Sequence, residues 1–251
     1  MTTVLAIMLV MLLVGLLLGF VGAGGSGFMI AVLTVGFGYP IHLAMGTAIA
    51  AMLFTSLTGF IGQLKQKNTD VLSGILVGVT GACSSWLGSG VAFAIPAGAM
   101  KWCTSGMLIV SGLALWLRMS YAAKHPADRP APSALRSRLS ASGLGLLVGF
   151  LTGAFGIGST PFIQLGLMLL VGLNMRTAAG TSMLVILPIA AAGAAGYYTA
   201  GGLDYKLLLT VLVGSMTGSY IGAQFTRSMP ASVLKTGMIA TPMIGACLLL
   251  L

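Results

Sequence analysis

The sequence predicts an all-α polytopic membrane protein made of two inverted repeats, each of four long transmembrane helices plus one short, broken helix. Three observations predict it. Hydrophobic residues form 57% of the chain and charged residues only 6%, too few charges to keep a surface dissolved in water. Apolar runs close to the ~20 residues that cross a bilayer as helix recur along the whole chain. The second half also lies over the first when shifted by 134 residues, from Thr47 to Thr181.

Taken in order, the first apolar run covers residues 3–22. No Lys or Arg precedes it and it exceeds the ~7–15 apolar residues of a signal peptide, so it is expected to remain in the chain. It ends in GFVGAGGSG, residues 19–27. Gly weakens a helix interior by about 1 kcal/mol relative to Ala, so a cluster this dense ends a helix. The apolar piece that follows, 28–37, would cover about half of a ~30 Å core as helix. Runs at 43–62, 71–95 and 102–117 complete a first repeat over residues 1–120. Residues 121–138 are polar, basic and Pro-containing, as expected of a cytoplasmic linker. The second repeat, 139–251, carries long runs at 139–157, 178–199, 205–225 and 234–251, with a short piece at 162–171 behind a second Gly-rich break.

The repeat register aligns Gly46 with Gly180, Asp70 with Asp204, Gly88 with Gly222, Pro96 with Pro230 and Lys101 with Lys235. Upstream, GLLLGFVGAGGSG (15–27) matches GLLVGFLTGAFGIG (145–158) with the register slipped by a few positions. Basic residues collect on the cytoplasmic side of a membrane protein. If each short piece returns the chain across the bilayer, Lys65, Lys67, Arg176, Arg227 and Lys235 join Arg118, Lys124, Arg129, Arg136 and Arg138 inside, leaving only Lys101 and Lys206 outside. If the short pieces do not cross, the split weakens from 10 against 2 to 8 against 4. The charge pattern therefore favours inverted copies.

Inverted repeats with helices interrupted at corresponding positions point to a secondary transporter, because irregular backbone at membrane depth persists only where it is buried or lines a cavity. A helix restarting after Gly27 offers N–H groups and the positive end of its dipole to an anion. Ser159-Thr160-Pro161 is a helix-start signal of the same kind. Glycines in membrane helices also serve close packing, and for any single Gly that reading is the simpler one. The paired clusters, each ahead of a piece too short to span, turn the balance toward a site.

GAGGSGFMI with HLAMGTA, and GAFGIGSTPF with RTAAGTSMLVILPIAAAGAAGYYTAGGLDY, resemble the two repeats of the TauE/SafE sulfite exporter family over nearly the whole chain. The resemblance implies a bacterial inner-membrane carrier that exports sulfite or an organosulfonate such as sulfoacetate, driven by the proton gradient. The first copy reads Gly46-Thr47-Ala48 where the family has Gly-Thr-Ser, and Ser159 and Thr160 stand where the family has glycines.

The expected substrate site comprises Gly22, Gly24, Gly25, Ser26, Gly27 and Thr47 from the first copy with Gly153, Gly156, Gly158, Ser159, Thr160, Thr181 and Ser182 from the second. Arg176 and His42, aligned before the two Gly-Thr motifs, are candidates to balance charge. The chain has no Glu and three Asp, so candidates for proton coupling reduce to His42, Asp70 and Asp204, although for aligned Asp residues opening long spans the role of helix N-terminal residue is the simpler reading. Gln63 and Gln164 could hydrogen-bond substrate. Cys83, Cys103 and Cys247 lack metal or disulfide spacing and read as small buried hydrophobes. No cofactor or metal is expected. The expected partners are a small anion and the lipid bilayer, with a homodimer left open. The net charge of +9 lies between spans and orients the protein rather than binding nucleic acid. A membrane enzyme would need a nucleophile, base and orienting group at some recognisable spacing, and none is present. A passive channel or an assembly subunit remain alternatives, separable by flux without proton dependence and by no flux at all.

Overall fold

The computed structural model describes residues 2–21, 25–124, 134–157, 160–226 and 231–251. Among these, all regular structure is helical: α1 (Thr2–Val21), α2 (Ser26–Ala31), α3 (Ile41–Lys65), α4 (Val71–Ala94), α5 (Ala97–Lys124), α6 (Ala134–Phe155), α7 (Thr160–Gly166), α8 (Met175–Thr199), α9 (Tyr205–Thr226) and α10 (Ala231–Leu250). Two π-helical turns, Val32–Gly36 and Leu167–Val171, extend α2 and α7.

Four helical stretches are long and apolar enough to cross a membrane, namely Ile41–Lys65, Val71–Ala94, Ala97–Leu117 and Met175–Thr199. Val4–Gly19, Leu139–Phe155 and Ile239–Leu250 are further apolar stretches within α1, α6 and α10. Eight long spans were expected, and α9 is a helix of 22 residues that carries a series of Gly, Ser and Thr. Its small residues have a packing task. A Cβ added at Gly15 or Gly19 of α1 would collide with the backbone of Ser215 or Ser219 of α9. Likewise Gly149 and Gly153 of α6 lie on the carbonyls of Gly81 and Ser85 in α4. Lipid tails are as apolar as Leu, so helices associate through such close backbone approach rather than through hydrophobic burial.

These contacts also fix the repeat register. α2 and α7, α3 and α8, α4 and α9, and α5 and α10 each begin 134 residues apart (160 − 26 for the first pair), and α1 and α6 end 134 apart. Tyr39 N–H donates to the Leu33 carbonyl and Leu173 N–H to the Leu167 carbonyl, both at 3.1 Å, so even the irregular ends of α2 and α7 coincide. The slip read upstream from sequence is therefore absent. Gly15 corresponds to Gly149 and Gly19 to Gly153, because the backbone partner, not the run of Leu and Gly letters, defines equivalence.

Helix directions follow from the same contacts. Gly46 of α3 meets Tyr197 and Gly202, Gly59 meets Met183, and Gly180 meets Gln63 and Asn68, so α3 and α8 run antiparallel. Gly74, Gly78 and Gly81 of α4 meet Leu184, Pro188 and Ile189 in rising order, so α4 runs parallel to α8. The rising pairs above make α1 parallel to α9 and α6 parallel to α4. With α9 turning back from α8 through residues 200–204, α1 and α3 point the same way. The chain between them must travel back, and α2 with its π turn does so over ~16 Å of helix. Between α6 and α8 the second short helix makes the same return.

Asp70 and Asn174 cap α4 and α8 through their side chains, accepting from Ser73 N–H at 3.5 Å and Thr177 N–H at 2.9 Å. The three cysteines are exposed on the helix surface rather than buried, a correction to the sequence reading. An apolar outer face is what lipid requires, and a thiol suits it.

Replacing Gly149 with Leu is expected to cost about 3 kcal/mol, because the opposing Gly81 carbonyl belongs to backbone and cannot yield. Gly143 on the same helix faces open space, so Gly143→Leu is expected to leave thermal unfolding in detergent unchanged.

Candidate functional site

The two Gly-rich breaks meet. Ser26, the first residue of α2, is fully buried and its hydroxyl donates to the Gly156 carbonyl at 2.8 Å. Gly25 caps α2 through its carbonyl, which accepts from Phe28 N–H at 3.1 Å and Met29 N–H at 3.3 Å. Gly156 needs to be glycine: its φ of +68° is left-handed, and a Cβ there would come within 2.7 Å of Met45 and 3.0 Å of Ile30. Gly27 lies against the end of the Leu108 side chain of α5, which would have to move to admit a Cβ.

A helix leaves its last four carbonyls without helical partners, and burying them unpaired is costly. The end of α6 meets this with hydroxyls from three other helices. Tyr197 of α8 donates to the Gly153 carbonyl at 3.0 Å, Thr104 of α5 to Phe155 at 3.3 Å, and Ser26 of α2 to Gly156 at 2.8 Å. Tyr197 is wholly buried, with its hydroxyl also 3.9 Å from the Met45 sulfur and its ring 5.4 Å from Phe93. The sequence reading missed Tyr197 and Thr104. A Tyr inside an apolar span is itself a signal, since a buried phenol requires a hydrogen-bond partner.

Of the expected site residues, Gly25, Ser26, Gly27, Gly153 and Gly156 are gathered at this junction. Thr160 starts α7 and is buried. Gly22, Gly24, Gly158 and Ser159 lie outside the described residues. Thr47 is fully buried in α3 and its hydroxyl has no hydrogen-bond partner. The amide nitrogen of Gln164 in α7 is likewise buried and unpartnered. Both are donors a bound oxyanion could satisfy.

Other expected residues stand elsewhere. Thr181 sits toward the opposite end of the α3/α8 pair, where its hydroxyl accepts from Asp70 N–H at 2.9 Å. Ser182 donates to its own helix at the Ala179 carbonyl, 2.7 Å away. Arg176 is exposed at the start of α8. His42 has its Nε2 3.0 Å from the Ala92 carbonyl, a donor bond in the tautomer protonated there, and its ring stacks on Phe93 at 5.2 Å. It thus closes the C-terminal end of α4. The Asp70 carboxylate accepts from the Ser73 hydroxyl at 2.7 Å, and Asp204 accepts from Lys206 N–H at 2.7 Å and Leu207 N–H at 3.3 Å. Both carboxylates act as helix caps. Among the described residues no three of His, Cys, Asp and Glu gather as a metal site.

The sequence model of the sulfite exporter TauE/SafE family matches residues 7–249. The chain is 46% identical over 244 residues to the "Probable membrane transporter protein YdhB" of Bacillus subtilis (strain 168), covering 97% of this chain and 99% of that one. It is 24% identical over 224 residues to the "Probable membrane transporter protein YunE" of the same organism, covering 83% and 81%. A "Probable membrane transporter protein" of Xylella fastidiosa (strain 9a5c) is 26% identical over 222 residues, covering 88% and 84%. No solved structure matches. A family match over nearly its whole length, and a close relative of the same length, place the chain among membrane transporters rather than enzymes: it belongs to the sulfite exporter TauE/SafE family.

Proposed function

We propose that the protein is a proton-coupled secondary transporter that exports a small sulfur-containing anion, sulfite or an organosulfonate such as sulfoacetate, from the bacterial cytoplasm by alternating access. The Ser26 to Gly156 hydrogen bond carries the reading, because it joins the two helix breaks at one buried junction between the halves. The antiparallel run of α3 and α8 supports inverted repeats in the membrane, with each short helix returning the chain. The charge pattern then puts the exposed Lys65, Lys67 and Arg176 on the cytoplasmic side and Lys206 outside.

On this reading the anion binds at the starts of α2 and α7, which offer N–H groups and positive helix ends. Thr47 and Gln164 supply donors that lack a protein partner. The α6 carbonyls beside the site would repel an anion, and the hydroxyls of Tyr197, Thr104 and Ser26 occupy them. Alternating access follows if one half rocks against the other about this junction. His42, Asp70 and Asp204 are the candidates for coupling, the first through its bond to α4 and the carboxylates through their caps.

Flux in liposomes holding only this protein tests the assignment. Saturable efflux of sulfite or sulfoacetate, accelerated by an imposed pH gradient and exceeding that of sulfate or acetate, is the expected result; equal flux of all four without gradient dependence would mark a channel. Gly156→Val is expected to abolish the flux, since it forces a branched residue into left-handed backbone against Met45. Normal transport by this variant would remove the junction from the mechanism. Tyr197→Phe leaves the Gly153 carbonyl unpaired and is expected to lower stability by about 1 kcal/mol in thermal unfolding, with a fall in flux.

A further inference from the structure

The two halves differ at one pair of equivalent hydroxyls. Thr47 and Thr181 follow the glycines of the two Gly-Thr motifs, and both side chains are fully buried. Each motif is pressed against the turn that ends the other half's antiparallel helix: Gly46 has no room for a side chain beside the Gly202 carbonyl, nor Gly180 beside that of Asn68. Asn68 and Gly202 are themselves equivalent positions, each two residues before a capping Asp. Thr181 accepts the Asp70 N–H at 2.9 Å and so ties α8 to the α3 to α4 turn. The matching bond at the other end would run from Asp204 N–H to Thr47, yet the Thr47 hydroxyl has no hydrogen-bond partner at all.

We propose that Thr47 and Thr181 form an alternating latch: in this conformation the cytoplasmic turn is fastened by Thr181 and the outer turn unfastened, and in the opposite-facing state Thr47 accepts Asp204 N–H while Thr181 lets Asp70 go. The inference rests on the inverted-repeat transport reading for the sides it names, since Lys65 and Lys67 mark the first turn as cytoplasmic and the second turn lies at the opposite end of the α3 and α8 pair. The physical reason is that a buried hydroxyl without a partner raises the energy of its state, so each state carries one satisfied and one unsatisfied threonine and neither is overwhelmingly favoured. Asp70 and Asp204 hold their turns in shape by capping α4 and α9 throughout, which keeps both backbone N–H groups presented to the threonines.

The test reads accessibility without substrate. In the full chain with Cys83, Cys103 and Cys247 replaced by Ala, Leu43→Cys reports the outer half and the equivalent Thr177→Cys the cytoplasmic half, both positions being partly exposed, by reaction with a membrane-impermeant maleimide applied to each side of proteoliposomes. Thr181→Val is expected to move the ratio of outer to inner labelling about fivefold toward the inner side, the effect of one neutral hydrogen bond. Adding Thr47→Val is expected to return the ratio to that of the parent, and Thr181→Ser, which keeps the hydroxyl, to leave it unmoved. The proposal is overturned if Thr181→Val leaves the ratio unchanged, or if Thr47→Val fails to reverse its shift. Because labelling needs no anion, a parent protein that transports none of the anions tried would defeat the substrate assignment while the labelling ratio still decides the latch.

Discussion

A helix that stops inside a membrane protein must find partners for the carbonyls of its last turn, and water is not there to supply them. The end of α6 answers this with donors from α2, α5 and α8, three elements that the chain reaches at very different points. That requirement organises the core. α2 must begin with its Ser26 hydroxyl against Gly156, α8 must bring Tyr197 to Gly153, and α5 must place Thr104 beside Phe155. Three carbonyls at the break, those of Gly153, Phe155 and Gly156, are thereby occupied.

The same economy explains the glycines. α1 packs on α9 and α6 on α4, so the first helix of each half rests on the fourth helix of the other. The halves are interlaced rather than set side by side. Residues 1–120 and 139–251 describe the duplication of the sequence, and neither buries its own first helix without the other. Contact through backbone leaves little tolerance for side chains, which is why Gly and Ser recur along the matching faces of α1, α4, α6 and α9.

Much of this was legible in the sequence. The register of 134 placed α3, α4 and α5 on α8, α9 and α10, and the density of Gly marked both breaks before any contact was known. The first helices misled because Gly-Leu-Leu recurs at a four-residue offset in α1 and α6, and letters on a helix repeat nearly every turn while backbone contacts do not. Asp70 and Asp204 were readable as caps from position alone, and both are caps. Hydrogen bonds between distant segments could not be read. Nothing local links Tyr197 to Gly153 or Ser26 to Gly156, and cysteines that looked buried by hydropathy face outward, because in a bilayer apolar does not mean interior.

The exchange of the two halves also bears on where substrate identity can be encoded. On the transport reading, backbone N–H groups at the starts of α2 and α7, supplied by both copies at equivalent positions, would recognise an anion as such and carry no finer information. Discrimination needs residues at which the copies part company. In the observed register Gly25 stands opposite Ser159, Ser26 opposite Thr160, and Tyr197 opposite Gln63. On the transport reading, the second break offers more hydroxyl donors than the first, and beside it stands the Tyr197 phenol, whose sequence equivalent is the amide of Gln63. A tetrahedral or pyramidal oxyanion seated between unequal donors has one preferred orientation rather than two. The broken symmetry of a few side chains would then direct a substrate that the symmetric backbone merely admits.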